Sequence, residues 1–229
     1  MKKLELELEK FRLRLVDMGN LAEKMVQQAA ESLVDPQEAT LTDAIRSAEE
    51  KLDRFQLDID GEAIRLLTLY SPVASDLRMI LSISRITSEL ERIGDHTVNM
   101  SESLDLIRSH QQPDLLPSIL RMASVVLTMV RDALDAFVKR DLDKAQATIA
   151  NDNIVDALND QVVGELLSVE TLRDLIAGTE DMAGVLAQML IARSLERIAD
   201  QATNISEEIV YMVKGHDIRH QGLPRSGHA

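Results

Sequence analysis

Residues 90–102, LERIGDHTVNMSE, return at 195–207 as LERIADQATNISE, with eight of thirteen positions identical and an offset of 105 residues. A chain of 229 residues that carries one segment on each side of its midpoint is a duplicated chain, and its fold has to be two copies of one unit. Asp53 and Asp156 match across the copies at an offset of 103, so the copies differ slightly in length.

Helical periodicity runs through both copies. Three punctuations fall before or at the midpoint: Asp35-Pro36-Gln37-Glu38, Ser71-Pro72, and His110 to Pro117. The first reads as a helix start, with Asp at the N-cap, Pro at N1 and Glu at N3; Ser71-Pro72 reads the same way. Lys139-Arg140-Asp141 reads as a helix end followed by an Asp cap, and Gly178-Thr179-Glu180 as a last start. These breaks predict six helices near 4–33, 36–69, 72–109, 114–139, 142–170 and 179–213. No Asn-Gly or Asp-Gly turn separates alternating apolar runs, so no sheet is expected. Aromatic residues make up only 2%, which long helices packed through Ala, Leu, Ile, Val and Met tolerate better than strands do. The expected fold is all-α: two tandem antiparallel three-helix bundles, repeat 1 over residues 1–110 and repeat 2 over 114–214, followed by a flexible tail over 215–229.

Charge and composition narrow the function. A net charge of −14 argues against a general nucleic-acid binder, and the shortage of rings argues against a single-strand binder. An acidic chain suits multivalent cations or a basic partner surface. The absence of Cys removes disulfides, thiolate zinc sites and iron–sulfur clusters, and fits the cytoplasm. The opening MKKLELELEKFRLRL lacks the long apolar run of a signal peptide, and no apolar stretch reaches the roughly 20 residues of a membrane span.

The repeated segment carries the chemistry. With Glu91 at zero on a helical wheel, Asp95 falls at about 40°, Asn99 at about 80° and Glu102 at about 20°. Ser84 and Ser88 share that side, whereas Ile86, Leu90 and Ile93 lie near 200–260° and face a core. The second copy repeats this with Glu196, Asp200, Asn204 and Glu207 against Ile191, Leu195 and Ile198. Acidic pairs four residues apart repel by a few tenths of a kcal/mol. A hard cation with oxygen ligands would compensate that repulsion: Mg²⁺, Ca²⁺, Mn²⁺ or oxidised iron. An ordinary solvated face, with Arg92 and Arg197 in surface ion pairs, remains the alternative.

Other positions are weaker candidates. Asp53 and Asp156 either approach the metal face or form ion pairs. His96 has Gln201 as its counterpart and reads as a surface histidine, as do His216, His220 and His228 near the end of the chain. Arg78, Arg85 and Arg92, spaced by seven, read as ion-pair partners before anion binders. No nucleotide-binding glycine loop, serine elbow or His-Glu-x-x-His occurs. The Glu-x-x-His of di-iron bundles is also missing. No catalytic site is expected.

The pair LERIGDHTVN and LERIADQATN, with Asp76-Leu77-Arg78 and Ile191-Ala192-Arg193, resembles the PhoU family from about Phe11 to Lys214. That family carries paired E(D)-x-x-x-D motifs on tandem three-helix bundles. The histidine common after the second motif's Asp stands here after the first, leaving Gln201 in the second. The resemblance implies a cytoplasmic homodimer that reaches the membrane only through its partners. It implies metal ions (iron, zinc, magnesium, calcium or manganese) held by Glu91, Asp95, Asn99, Glu196, Asp200 and Asn204, in single or multinuclear clusters. It also implies negative regulation of phosphate uptake and of phosphate-starvation signalling, through contacts with the ATPase subunit of a phosphate ABC transporter and a PhoR-type sensor kinase. A metal-storage protein or metalloenzyme using the same carboxylates, and a metal-free helical adaptor, are the competing readings.

Overall fold

The computed structural model describes residues 2–34, 41–109, 115–169, 171, 176 and 182–218. Its long helices are α1 (Lys2–Val34), α2 (Leu41–Tyr70), α3 (Ala74–Ser109), α4 (Pro117–Lys139), α5 (Leu142–Leu166) and α6 (Met182–Lys214), and no strand occurs among the described residues. Helices α1, α2 and α3 pack pairwise into one bundle, and α4, α5 and α6 into a second. The most extensive helix contact joins the bundles through α3 and α6, with a smaller one between α1 and α4.

The expected core stripe is the observed one. Ile86, Leu90 and Ile93 on α3 and Ile191, Leu195 and Ile198 on α6 are fully buried, each side chain contributing about 1.5–3 kcal/mol. Side chains that meet across neighbours give the directions. Arg46 reaches Glu102 at 2.8 Å and Ser84 reaches Asp60 at 2.7 Å, so α2 and α3 run antiparallel. Ser82 meets Glu208 at 3.4 Å and Asn204 meets Glu89 at 3.1 Å, so α3 and α6 are antiparallel as well. The bundles are therefore related by an approximate two-fold through the α3/α6 contact.

Helix ends follow local chemistry, with one correction. Arg140 takes a left-handed conformation (φ 53°) and closes α4, and the Asp141 side chain then accepts from the N–H groups of Asp143 and Lys144 to start α5. Ser71-Pro72 does not start α3. Ser71 is left-handed (φ 43°) and donates its N–H to the Leu67 carbonyl at 3.1 Å, so it ends α2. A residue spent on closing one helix is not free to cap the next, and α3 begins at Ala74. The starts expected at Asp35-Pro36 and Gly178-Thr179 and the 219–229 part of the tail lie outside the described residues.

Gly94 packs directly against the Leu52 side chain of α2. A Cβ there would stand 2.6 Å from Cδ1 of Leu52, which is itself fully buried. The duplicated position in α6 is Ala199, also buried, so the second bundle accommodates a Cβ at this place. Gly94→Ala gains helix propensity, up to ~1 kcal/mol, and loses ~1–3 kcal/mol to overpacking. We expect a net destabilisation of about 1 kcal/mol in urea unfolding; a stabilised Gly94→Ala would show that Leu52 has room to turn.

Candidate metal centres

Two groups of four carboxylates lie on the bundle faces, one per repeat. In the first, Glu91 and Asp95 on α3 lie next to Glu49 and Asp53 on α2. In the second, Glu196 and Asp200 on α6 lie next to Asp152 and Asp156 on α5. Glu49 and Asp152 are additions to the sequence reading. The signal was present: Glu49-x-x-x-Asp53 and Asp152-x-x-x-Asp156 match at the same offset of 103 that relates Asp53 to Asp156. An i,i+4 pair on α2 meets an i,i+4 pair on α3, and α5 and α6 repeat the arrangement.

The electrostatics record the crowding. Burial, then the charges of Asp95 and Asp53, hold the Glu91 carboxyl above its ordinary pKa, with Arg92 pulling the other way. Burial, then Asp53 and Asp95, raise Glu49. Burial and Asp53 raise Asp95 against a smaller opposing pull from His96. In the second bundle burial, then Asp156 and Asp200, raise Asp152. Burial also keeps His96 below its usual value, against the pull of Asp95.

The two groups are not equally open. Asp200 accepts from Arg197 at 3.0 Å, and Glu196 from the Asn159 amide at 3.4 Å. Arg92 turns to Glu89 at 3.8 Å rather than to Glu91. Glu91 and Asp95 therefore keep mostly acidic neighbours.

Asn99 and Glu102 line a groove between α3 and α6, and Glu102 pairs with Arg46. Asn204 donates to Glu89 across the α3/α6 contact. Glu207 is partly buried on α6 and has an interaction of its own. Arg85 and Arg92 serve as the expected ion-pair partners, to Glu208 and Glu89.

All-oxygen donors with like-charge repulsion, least relieved in the first group, are the donor chemistry of a hard-cation site. Among the described residues, no three acidic or imidazole side chains converge into a ready-made cage. The donor set therefore fits a hard cation by composition and charge, and the side chains would have to turn inward to hold one.

The raised carboxyls have a defined stability signature. They bind protons more readily in the folded chain than in the unfolded one, so their unfavourable contribution is fully present above the folded-state pKa. It is relieved as pH falls toward the ordinary carboxylate range near ~4. In chelator-treated protein, Glu91→Gln with Asp95→Asn should raise stability at pH 7 by about 0.3 kcal/mol. The gain should shrink as the pH is lowered. Urea unfolding at two pH values measures this, and a double variant less stable at pH 7 would mean that the repulsion is already compensated within the chain.

The PhoU domain family matches residues 15–104 and again 119–209. The chain is 36% identical over 220 residues to the phosphate-specific transport system accessory protein PhoU homolog of Pseudomonas putida, covering 96% of this chain and 84% of that one. It is 32% identical to the phosphate-specific transport system accessory protein PhoU of Escherichia coli, covering 94% and 87%. The crystal structure of PhoU from Pseudomonas aeruginosa superposes with a TM-score of 0.85 at 34% identity, covering 93% of this chain and 99% of that one. The phosphate transport system regulatory protein PhoU from Streptococcus pneumoniae superposes with a TM-score of 0.83 at 26% identity, covering 94% and 99%. These relatives are named as accessory and regulatory proteins, not as enzymes.

Proposed function

The chain belongs to the PhoU family, and on that basis we propose that it is an accessory protein of phosphate transport that restrains uptake by protein contacts conditioned on bound metal. The observation that carries this reading is the duplicated four-carboxylate group, Glu49, Asp53, Glu91 and Asp95 in one bundle and Asp152, Asp156, Glu196 and Asp200 in the other. The partners in this reading are the ATPase subunit of a phosphate ABC transporter and a PhoR-type sensor kinase.

The carboxylates would hold the cations, and the cations would supply positive charge on an otherwise acidic face. The protein's part is to keep four oxygen donors at the junction of two helices, on backbones fixed by the buried Ile and Leu stripes. Neutralising that cluster lowers the repulsion that a chain of net charge −14 meets at an acidic surface. The face also offers apolar area. Leu57, one turn beyond Asp53 on α2, is 74% exposed, and Ile64, two turns further, is 66% exposed. An exposed apolar row beside a charge cluster suits a protein partner.

The metal-free adaptor reading is favoured by one observation: no three donors converge into a cage among the described residues. One experiment separates the two. Elemental analysis of protein purified without chelator should find bound metal in the wild type and a large loss in Glu91→Ala/Glu196→Ala. Capture of the transporter's ATPase subunit should fall at least ~10-fold in that variant and after chelation, a change of ~1.4 kcal/mol. Metal-free wild type with capture unchanged by either treatment would establish the adaptor reading.

A further inference from the structure

The approximate two-fold through α3 and α6 makes two grooves, one at each end of the contact, and they are not alike. At the first, Arg85, Glu89 and Arg92 of α3 stand beside Asn204, Glu208 and Tyr211 of α6. Here every nearby cation meets an anion of the chain itself. Arg85 pairs with Glu208 at 3.3 Å and lies 5.6 Å from the Tyr211 ring centroid. Arg92 pairs with Glu89 at 3.8 Å, and the Asn204 amide donates to the same carboxylate at 3.1 Å. Glu208 is only 3% exposed.

The other groove has a volume of about 540 Å³ and is walled by Leu106 and Leu190. The offset of 105 pairs Glu208 with Ser103 and Glu89 with Ser194, so both carboxylates are replaced by serine. Arg197 stands where Arg92 does and Asn99 where Asn204 does, whereas Arg85 is replaced by Leu190 and a different arginine, Arg193, stands where the sister groove has Ser88. Arg193 makes no ion pair or side-chain hydrogen bond among the described residues. The one carboxylate in the lining, Glu102, is held by Arg46 at 2.8 Å, and Arg197 is held at the rim by Asp200 at 3.0 Å. Ser103 and Ser194 donate their hydroxyl protons to the carbonyls of Asn99 and Leu190, at 2.8 and 2.9 Å. The free donors are thus the Arg193 guanidinium and the Asn99 amide, with Arg197 beside them.

A second arginine-bearing cavity shows the contrast. Between α1 and α4, Arg131 and Lys144 share a cavity of about 300 Å³ with Glu23, Asp132 and Asp135, and each cation there is paired. The α3/α6 groove, by contrast with that cavity, keeps Arg193 without an ion pair among the described residues.

We propose that this groove binds a phosphate-type oxyanion, held by Arg193, Arg197 and Asn99 in the place that Glu89 and Glu208 occupy in the sister groove. A guanidinium fork matches a tetrahedral oxyanion better than it matches water. The volume admits inorganic phosphate or the terminal phosphates of a larger ligand. The overall negative charge opposes binding only weakly, because charges more than ~8 Å away are screened at physiological ionic strength. Asn99 thereby takes the role of an anion donor rather than a metal ligand.

The test uses the full chain, stripped with chelator so that metal-borne phosphate does not contribute. Inorganic phosphate and pyrophosphate are titrated calorimetrically in parallel. Three variants accompany the wild type: Arg193→Gln removes the fork, Ser103→Glu installs the sister groove's own carboxylate, and Arg131→Gln is the control at the α1/α4 cavity. Circular dichroism confirms helicity in each. We expect saturable binding of at least one anion, weakened ~10-fold or more, or ~1.4 kcal/mol, by Arg193→Gln and by Ser103→Glu, and unchanged by Arg131→Gln. Tighter phosphate identifies the free ion as the ligand, and tighter pyrophosphate identifies a terminal phosphate group. No binding of either anion at millimolar concentration overturns the proposal. So does binding that Arg193→Gln and Ser103→Glu leave unchanged. Because metal is absent throughout, failure here leaves the carboxylate reading untouched.

Discussion

The burial of one apolar stripe on α3 and its copy on α6 governs the rest of the structure. Ile86, Leu90 and Ile93, with Ile191, Leu195 and Ile198, have no exposed surface. Once those faces are fixed, helical geometry leaves the acidic positions no place in the core. Glu91, Asp95, Glu196 and Asp200 must stand at the edge, where α2 and α5 pass alongside. The carboxylate groups are thus a consequence of packing order. The core determines the helix rotation, the rotation determines which side chains meet the neighbouring helix, and that neighbour adds a second acidic pair.

The same packing explains why duplicated sequence did not give duplicated chemistry. The α3/α6 contact is antiparallel, so each copy's motif helix borders the other copy's motif helix in two symmetry-related places. Small changes at these places have large electrostatic effects. Serine at 103 and 194, in place of the glutamates at 208 and 89, removes two carboxylates from one groove, and arginine at 193, in place of the serine at 88, adds a cation to it. Gly94 in place of the alanine at 199 leaves room for the buried Leu52 side chain against α3 in the first bundle. The bundles share a scaffold and differ in what they leave unsatisfied.

Much of this was legible in the sequence, for identifiable reasons. The 105-residue repeat gave two bundles, and the wheel angles placed Glu91 and Asp95 off the core, because both depend only on periodicity and on burial of Ile and Leu. The Arg140-Asp141 junction was readable because left-handed closure and an Asp cap are local. Ser71-Pro72 was misread because a serine before proline can end one helix as well as start another, and the backbone decides. The directions of Asn99, Glu102 and Asn204 were not readable. A wheel puts them on the acidic side, but which neighbour they meet depends on α6 crossing α3, a long-range fact. Glu49 and Asp152 were within reach, since their pairs repeat at the offset already visible for Asp53 and Asp156.

The claim at the centre of this account is that four carboxylates from two adjacent helices act together as one cation-binding unit in each bundle. Anomalous diffraction from crystals soaked in manganese tests it most directly. The account predicts one peak cluster between α2 and α3, in contact with oxygens of Glu49, Asp53, Glu91 and Asp95, and a second between α5 and α6 at Asp152, Asp156, Glu196 and Asp200. Peaks confined to other surfaces, or these eight side chains ordered without manganese in saturated crystals, would contradict it.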